Sequence, residues 1–193
     1  RGITEESIQV FHLGYAPSSS QAETYMTKQG YNKKELIDSG LFYENDEQQL
    51  KFRFWDRVIF PVHNHLGKTV GFGGRTLRND KSVAKYINSP DSLIYNKSRL
   101  LYGMDIAKKY GAKEKQFIVM EGYMDVVMSH QFGFKTAIAS MGTALTQMQG
   151  QLMQRYADQV ILAMDSDAAG QDATIKNYEV LKTLSFQVKV LKL

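Results

Sequence analysis

The stretch VILAMDSDAAGQDA, residues 160–173, decides how the rest of the chain is read. Apolar residues Val160 to Met164 run straight into Asp165 and Asp167, two like charges one residue apart, and a helix-like segment follows. A short apolar run bounded by polar residues suits a buried strand. In an open parallel sheet, ligands bind beyond the carboxyl ends of the strands. Two carboxylates there suit either a cation or the cap of the following helix.

The flanking sequence supplies the sheet. The strand-like runs QFIVM (116–120), KTAIAS (135–140), DQVILAMD (158–165) and FQVKVLKL (186–193) alternate with three helix-like segments. These are GYMDVVMSHQFG (122–133), TQMQGQLMQRYA (146–157) and AAGQDATIKNYEVLKTL (168–184). This alternation predicts βαβ units on a mainly parallel sheet. Glu121 then closes the first strand and Asp165 the third, with Asp167 just after.

Before residue 113 the pattern differs. TEESIQVFHLGY (4–15) opens with Thr4 and Ser7 in capping positions and Glu5 and Glu6 in the first turn, all favourable at a helix N-terminus. SSQAETYMTKQGY (19–31) reads as a helix stopped by Gly30, and NKKELIDSG (32–40) as one capped by Asn32 and ended by Gly40. From Leu50 the period shortens: KFRFWDRVIFPVHNHLGKTVGFGGRTL (51–77) predicts a hairpin turning at HNHLGK, with Pro61 at an edge or bulge. A helix is expected over roughly 98–110. GAKEK (111–115) reads as a polar break. The expected organisation is therefore α/β: an α+β N-terminal domain over 1–112 and a βαβ domain over 113–193.

Composition bounds the function classes. The chain of 193 residues is 43% hydrophobic and 23% charged, the profile of a globular chain with room for one large domain or two small ones. With no cysteine, disulfides and thiolate zinc sites are excluded and a reducing, cytoplasmic compartment is the expectation. No apolar run approaches the roughly 20 residues that span a bilayer, so no membrane role is expected. The opening RGITEES resembles neither an initiator segment nor a signal peptide and suggests an excised piece.

The net charge of +4 is unevenly spread. Lys51, Arg53, Arg57, Lys68, Arg75, Arg78, Lys81, Lys85, Lys97 and Arg99 face only Asp56, Asp80 and Asp91 over that stretch. A basic stretch followed by a more acidic one suggests a polyanion gripped by the first and metal held by the second; a solvated basic face is the plainer alternative. The GFGG cluster (71–74) lacks the strand-then-helix setting of a dinucleotide fingerprint and the Gly-Lys-Ser/Thr of a phosphate loop. Its glycines are expected to let the strand approach something closely, with Arg75 beside them. His12, His63, His65 and His130 have no common metal-ligand spacing. Trp55 and Tyr86 suit sheet cover better than base stacking.

Glu121, Asp165 and Asp167 together make a hard-oxygen set suited to Mg²⁺ or Mn²⁺. The conjunction of an apolar strand, Glu-Gly, a helix and a later strand with Asp-x-Asp resembles the TOPRIM fold of topoisomerases and primases. The segments VMEGYMDVV (119–127), SMGTALT (140–146) and MDSDAAGQDA (164–173) resemble the TOPRIM segment of DnaG-type bacterial replicative primases. FRFWDRVIFPV (52–62), GKTVGFGGRTL (67–77), KYINSP (85–90) and NKSRLLYG (96–103) resemble the N-terminal part of that family's RNA polymerase domain, and the opening 17 residues fit its first helix.

The resemblance implies template-directed synthesis of short RNA primers on single-stranded DNA from ribonucleoside triphosphates. It implies Glu121, Asp165 and Asp167 as catalytic and metal-holding acids, with Asp125 as a further one. Arg75, Lys85 and Lys97 match residues that hold template or triphosphate; Arg99, Arg53, Arg57 and Asn88 are additional candidates. It also implies a primer RNA/DNA hybrid as a bound product, alarmones of the guanosine tetraphosphate type as inhibitors at the same groups, a monomer, and work in the bacterial cytoplasm at the replication fork. A zinc-binding domain, a helicase-binding domain and an Asp-Pro-Asp motif of the family are expected outside these residues, so weak metal occupancy and little priming are expected of this piece alone. The other readings kept open are a topoisomerase- or nuclease-type TOPRIM enzyme and a non-catalytic module that binds nucleotides or alarmones.

Overall fold

The period change at Leu50 and the later strand–helix alternation both take shape in the computed structural model, which describes residues 2–80 and 82–191. Lys81 of the basic stretch and the last two residues of the run 186–193 lie outside the described residues. The chain divides into two compact units. One comprises Ile8–Pro61 and Val70–Asn96; the other takes the chain up to Ser7, Val62–Thr69, and all that is described from Lys97 on.

In the first unit, α2 (Ser19–Lys28) ends before Gly30, which adopts φ +92°. The next helix, α3 (Lys33–Asp38), begins at Asn32, whose side chain accepts the Glu35 N–H while Glu35 accepts the Asn32 N–H. Preceding both, α1 (Glu5–Val10) stops earlier than its sequence suggests, because His12 turns into the left-handed region and β1 (Gly14–Ala16) follows. The short pair β2 (Phe42–Glu44) and β3 (Leu50–Phe52) brings Phe42 and Phe52 together, ring centroids 5.1 Å apart, in a core shared with Ala16, Ala22, Leu36 and Phe54.

The expected hairpin is β4 (Arg57–His63) and β5 (Thr69–Thr76), turning through Asn64–Lys68 with Gly67 at φ +84°. With β6 (Tyr86–Asn88) they form a sheet of order β1-β4-β5-β6. Pro61 lies past the end of β1, which pairs with β4 only over Arg57–Ile59; its missing N–H therefore costs no bond on that side. The close approach expected of the GFGG glycines is to the protein's own core. A Cβ on Gly71 would sit 2.3 Å from the Tyr95 ring, and one on Gly74 2.7 Å from the Phe54 ring. Tyr95 is 1% exposed, and burial pushes its phenol up to about 12.

The second unit is built on a parallel sheet of order β10-β9-β7-β8. Its strands are β7 (Gln116–Met120), β8 (Ala137–Ala139), β9 (Gln159–Leu162) and β10 (Gln187–Val190), joined by α5 (Tyr123–Gln131), α6 (Gln147–Gln154) and α7 (Ala168–Thr183). Phe117, Val119, Ile138, Val160, Leu162 and Leu181 are wholly buried, each such side chain contributing about 1.5–3 kcal/mol. The register Gln116↔Gln159↔Gln187 holds three strands level, so the ends of β7 and β9 lie side by side.

Two boundaries depart from the sequence reading. The helix expected over 98–110 is instead a 3-10 turn at Lys97–Arg99 followed by α4 (Met104–Glu114), because Gly103 takes φ +78° between them. GAKEK is not a break: α4 runs through it, and Gly111 is there because a Cβ would meet the Phe117 ring at 2.4 Å. Its last carbonyls are released at Lys115, in the left-handed region. The sequence-based boundary at 112/113 thus falls near the end of α4, within the second compact unit.

Candidate metal and phosphate site

Glu121 follows β7 directly, and Asp165 stands three residues beyond β9. The Asp165 backbone N–H donates to Glu121 Oε1 at 3.0 Å, fastening the two strand ends together. Asp167 is the N-cap of α7, its Oδ1 accepting the Gly170 N–H at 2.8 Å. The capping role weighed for the Asp-Ser-Asp pair is therefore real for Asp167, though one accepted bond does not exhaust a carboxylate with about four lone-pair sites. Asp125, in the first turn of α5, accepts the Gly122 N–H at 3.0 Å.

The neighbouring acids act on Glu121. Partial burial raises the Glu121 pKa above its ordinary value; the Asp165 N–H bond pulls it down, and the charges of Asp165, Asp167 and Asp125 push it up again. Like charges near a carboxylate raise its proton affinity, and a divalent cation offsets that repulsion. The donor chemistry, all carboxylate oxygen, fits Mg²⁺ or Mn²⁺. Among the described residues, however, no three His, Cys, Asp or Glu side chains converge into a ready metal-holding group.

One residue on which this arrangement depends escaped sequence reasoning. Gly170, in the first turn of α7, has no room for a side chain: a Cβ would lie 2.1 Å from the Asp165 carbonyl oxygen and 2.8 Å from Glu121 Oε1. The signal was present as a glycine three residues after Asp-x-Asp, inside a helical pattern that glycine weakens. Beside Glu121 an open pocket of about 320 Å³ is lined by Thr143, Met164, Ala169, Asp172 and Lys176, among others. Of these the sequence reading had singled out Glu121 alone.

The basic candidates divide between the units. Lys97 and Arg99 lie in the second unit with the acids. Their turn is held to α6 by Gln149, fully buried, whose Nε2 donates to the Lys97 carbonyl at 3.0 Å and to that of Leu100 at 2.7 Å. Arg53, Arg57, Arg75, Lys85 and Asn88 belong to the first unit. Arg75 and Tyr86 are backbone partners across β5 and β6, the guanidinium lying 5.7 Å from the ring centroid. The Arg75 Nε is buried without an acceptor among the described residues. A charged donor left so is uncommon. Asn88 pairs with Gly73 on β6, and Lys85 is exposed just before that strand.

Arg57 is differently employed. It is 6% exposed, and its Nη1 donates to the Ala84 carbonyl at 2.9 Å and to that of Gly74 at 3.3 Å. It thereby ties the segment before Lys85 to β5. Arg53 donates from Nε to the Gly40 carbonyl at 3.1 Å and lies over Tyr43. Trp55 is covered by Arg78, 4.3 Å from its ring centroid, and Arg78 is paired with Asp56. His63 faces Asp105 at 3.6 Å, and His130 donates from Nε2 to the Ala137 carbonyl at 2.9 Å. Among the described residues no helix is long and apolar enough to cross a membrane.

Comparison with known proteins agrees with both halves. Residues 1–108 match the family model for the DNA primase catalytic core, N-terminal domain, and residues 118–193 match a Toprim-like domain. The chain is 41% identical to the DNA primase of Clostridium acetobutylicum over 194 aligned residues, covering 100% of this chain and 32% of that protein. It therefore spans about a third of the length of the curated relatives it matches. Among solved structures, the zinc-binding and RNA polymerase domains of Aquifex aeolicus primase superpose with a TM-score of 0.90 at 33% identity, covering 100% of this chain and 47% of that one. A DnaG primase catalytic domain bound to single-stranded DNA superposes with a TM-score of 0.87 at 37% identity, covering 100% of this chain and 61% of that one. Divalent metal is general to Toprim primases. The fold, the acids at its strand ends and the two matched segments agree: the chain belongs to the DNA primase catalytic-core family.

Proposed function

We propose that this chain carries the polymerising centre of a bacterial DNA primase, which copies single-stranded DNA into short RNA primers from ribonucleoside triphosphates in the cytoplasm. The observation that carries this reading is the bond from the Asp165 N–H to Glu121 Oε1 at 3.0 Å, which holds the acids beyond two neighbouring parallel strands together, with Asp167 capping the helix that follows. A carboxylate set so held calls for cations.

Glu121, Asp165 and Asp167, with Asp125 in support, would hold Mg²⁺ or Mn²⁺. When bound, the metal supplies charge neutralisation for the attacking 3′-hydroxyl and the pyrophosphate leaving group. A Glu121 carboxylate oxygen left outside the metal's coordination would also be placed to take up the hydroxyl proton. Arg75, whose side chain is part-exposed, and exposed Lys85 would hold phosphates of the triphosphate or template, as would Lys97 and Arg99. Asn88 and Arg53 are further contacts, and Arg57 positions the Lys85 segment. The primer hybrid is the product held, and alarmones of the guanosine tetraphosphate type would compete for the same basic groups. The family's replicative helicase and zinc-binding module would engage other parts of the protein.

The test is calorimetric binding of a ribonucleoside triphosphate with and without Mn²⁺. Asp165→Asn/Asp167→Asn should abolish the metal dependence, and Arg75→Ala should weaken binding about tenfold or more. Unchanged binding in both variants would reduce Asp167 to a helix cap and sink the reading.

A further inference from the structure

We propose that the pocket beside Glu121 receives the ribonucleoside part of a nucleotide, Asp172 accepting hydrogen bonds from the ribose hydroxyls; this rests on the polymerase reading above. At about 320 Å³ it lies at the small end of ligand pockets, large enough for one sugar and base rather than an oligonucleotide.

Its lining favours that moiety over a phosphate. Glu121 and Asp172 oppose only Lys176, so the pocket carries a net negative charge and repels a bare anion. Ala169 and Ala173 lie four residues apart on α7 and thus on one face. With Ala144 and Met164 they give a low apolar wall on which a ring can lie. Ser140 and Thr143 spend their hydroxyl protons on each other's carbonyls, at 2.5 and 3.2 Å. The charged groups left to direct a ligand beyond Glu121 are Asp172 and Lys176. An acidic side chain bonding ribose hydroxyls is the device dinucleotide-binding folds use.

The backbone at the rim is held in an uncommon conformation. Met141 and Gly142 both adopt positive φ, 63° and 83°, and the Gly142 N–H donates to the Glu121 carbonyl at 3.2 Å. A non-glycine residue held there persists only where its surroundings enforce it.

The 193-residue chain, with labelled alanine and methionine methyls, is titrated by NMR with adenosine and with 2′-deoxyadenosine in the absence of metal. The methyls of Ala144, Met164, Ala169 and Ala173 should shift to saturation, with adenosine favoured about five- to tenfold. Asp172 is exposed, so Asp172→Asn should fold normally and reduce the preference to about twofold or less. Ala173→Leu, which fills the pocket and leaves every polar group in place, should abolish the shifts. Silent methyls, equal affinity for the two nucleosides, or unaltered binding in Ala173→Leu would each overturn the proposal.

Calorimetry of ATP with Mg²⁺ on the same samples separates the two readings. If ATP binds but adenosine leaves the methyls silent, the pocket alone is refuted; if ATP also fails to bind, the polymerase reading falls with it. ATP and the dinucleoside monophosphate ApA distinguish the sources: stronger methyl shifts with ATP mark an incoming nucleotide, stronger shifts with ApA a primer end.

Discussion

Glu121 Oε1 accepts the Asp165 N–H at 3.0 Å, so the acid closing one strand is tethered to the backbone of the acid beyond its neighbour. The tether lowers the proton affinity of Glu121, while burial and three neighbouring carboxylates raise it, and the sum lies above the ordinary glutamate value of 4.5. Between the ordinary and raised values the folded chain holds a proton that the unfolded chain has lost. Stability therefore falls as pH rises through that window and stays lower above it.

Glu121→Gln keeps the acceptor oxygen and removes the charge. Its midpoint in thermal unfolding should exceed that of the wild type by roughly 1–3 °C at pH 7, a size expected of charge relief in a chain this long. The two should converge as pH falls below the ordinary glutamate value. Added Mn²⁺ should stabilise the wild type by mass action and the variant much less. A variant less stable than the wild type at pH 7 would refute the strain.

Gly170→Ala tests the space rather than the charge. The added methyl must displace both the Asp165 carbonyl, 2.1 Å away, and Glu121 Oε1, 2.8 Å away. Overpacking costs about 1–3 kcal/mol, and a clash with a backbone carbonyl belongs in the upper part of that range, above the roughly 1 kcal/mol that alanine gains over glycine in a helix. Urea unfolding should show the net loss, and Mn²⁺ affinity should fall because the strand ends separate. A stabilised variant with unchanged Mn²⁺ affinity would show the glycine to be incidental.

What the sequence revealed and concealed follows from the range of the forces involved. The parallel sheet was legible because buried strands and amphipathic helices differ in period, and Glu121 and Asp165 because strand ends follow from strands. The helix start at Met104 was not, since the break from Lys97–Arg99 is made by the long-range bridge of Tyr102 to Ala139 and the left-handed turn at Gly103. Nor was the membership of Lys97 and Arg99 in the second unit, which rests on Gln149 reaching 52 residues back in sequence. The pocket with Asp172 and Lys176 needs α7 laid beside the loop at Ser140–Thr143, a juxtaposition with no local signature.

Gly111 misled for a related reason, which gives a further prediction. Within a polar segment it resembles a helix stop, yet it faces the Phe117 ring, 2.4 Å from where its Cβ would be. Gly111→Ala should lower stability by about 1–2 kcal/mol despite its better helix propensity. Phe117→Leu alone should also destabilise, by about 1–2 kcal/mol. The double variant should cost less than the sum, because the smaller side chain makes room for the methyl. Simple additivity in urea unfolding would place the strain elsewhere.

Arg57 and Arg75 stand on neighbouring strands with opposite assignments, and the contrast between them can be measured. Arg57 is buried with its guanidinium on two backbone carbonyls, and burial lowers its pKa from the usual arginine range. Arg57→Met keeps most of the stem but leaves both carbonyls without that donor, which should cost about 1–3 kcal/mol of stability. Arg75 has a buried Nε with no acceptor among the described residues, so Arg75→Met removes an unmet need and should leave stability unchanged or slightly raised. Triphosphate binding should respond in the reverse order: about tenfold or more weaker in Arg75→Met, and little changed in Arg57→Met at temperatures where that variant is fully folded. If Arg57→Met lost the affinity and kept the stability, the two arginines would exchange roles, Arg57 becoming the phosphate contact and Arg75 part of the frame.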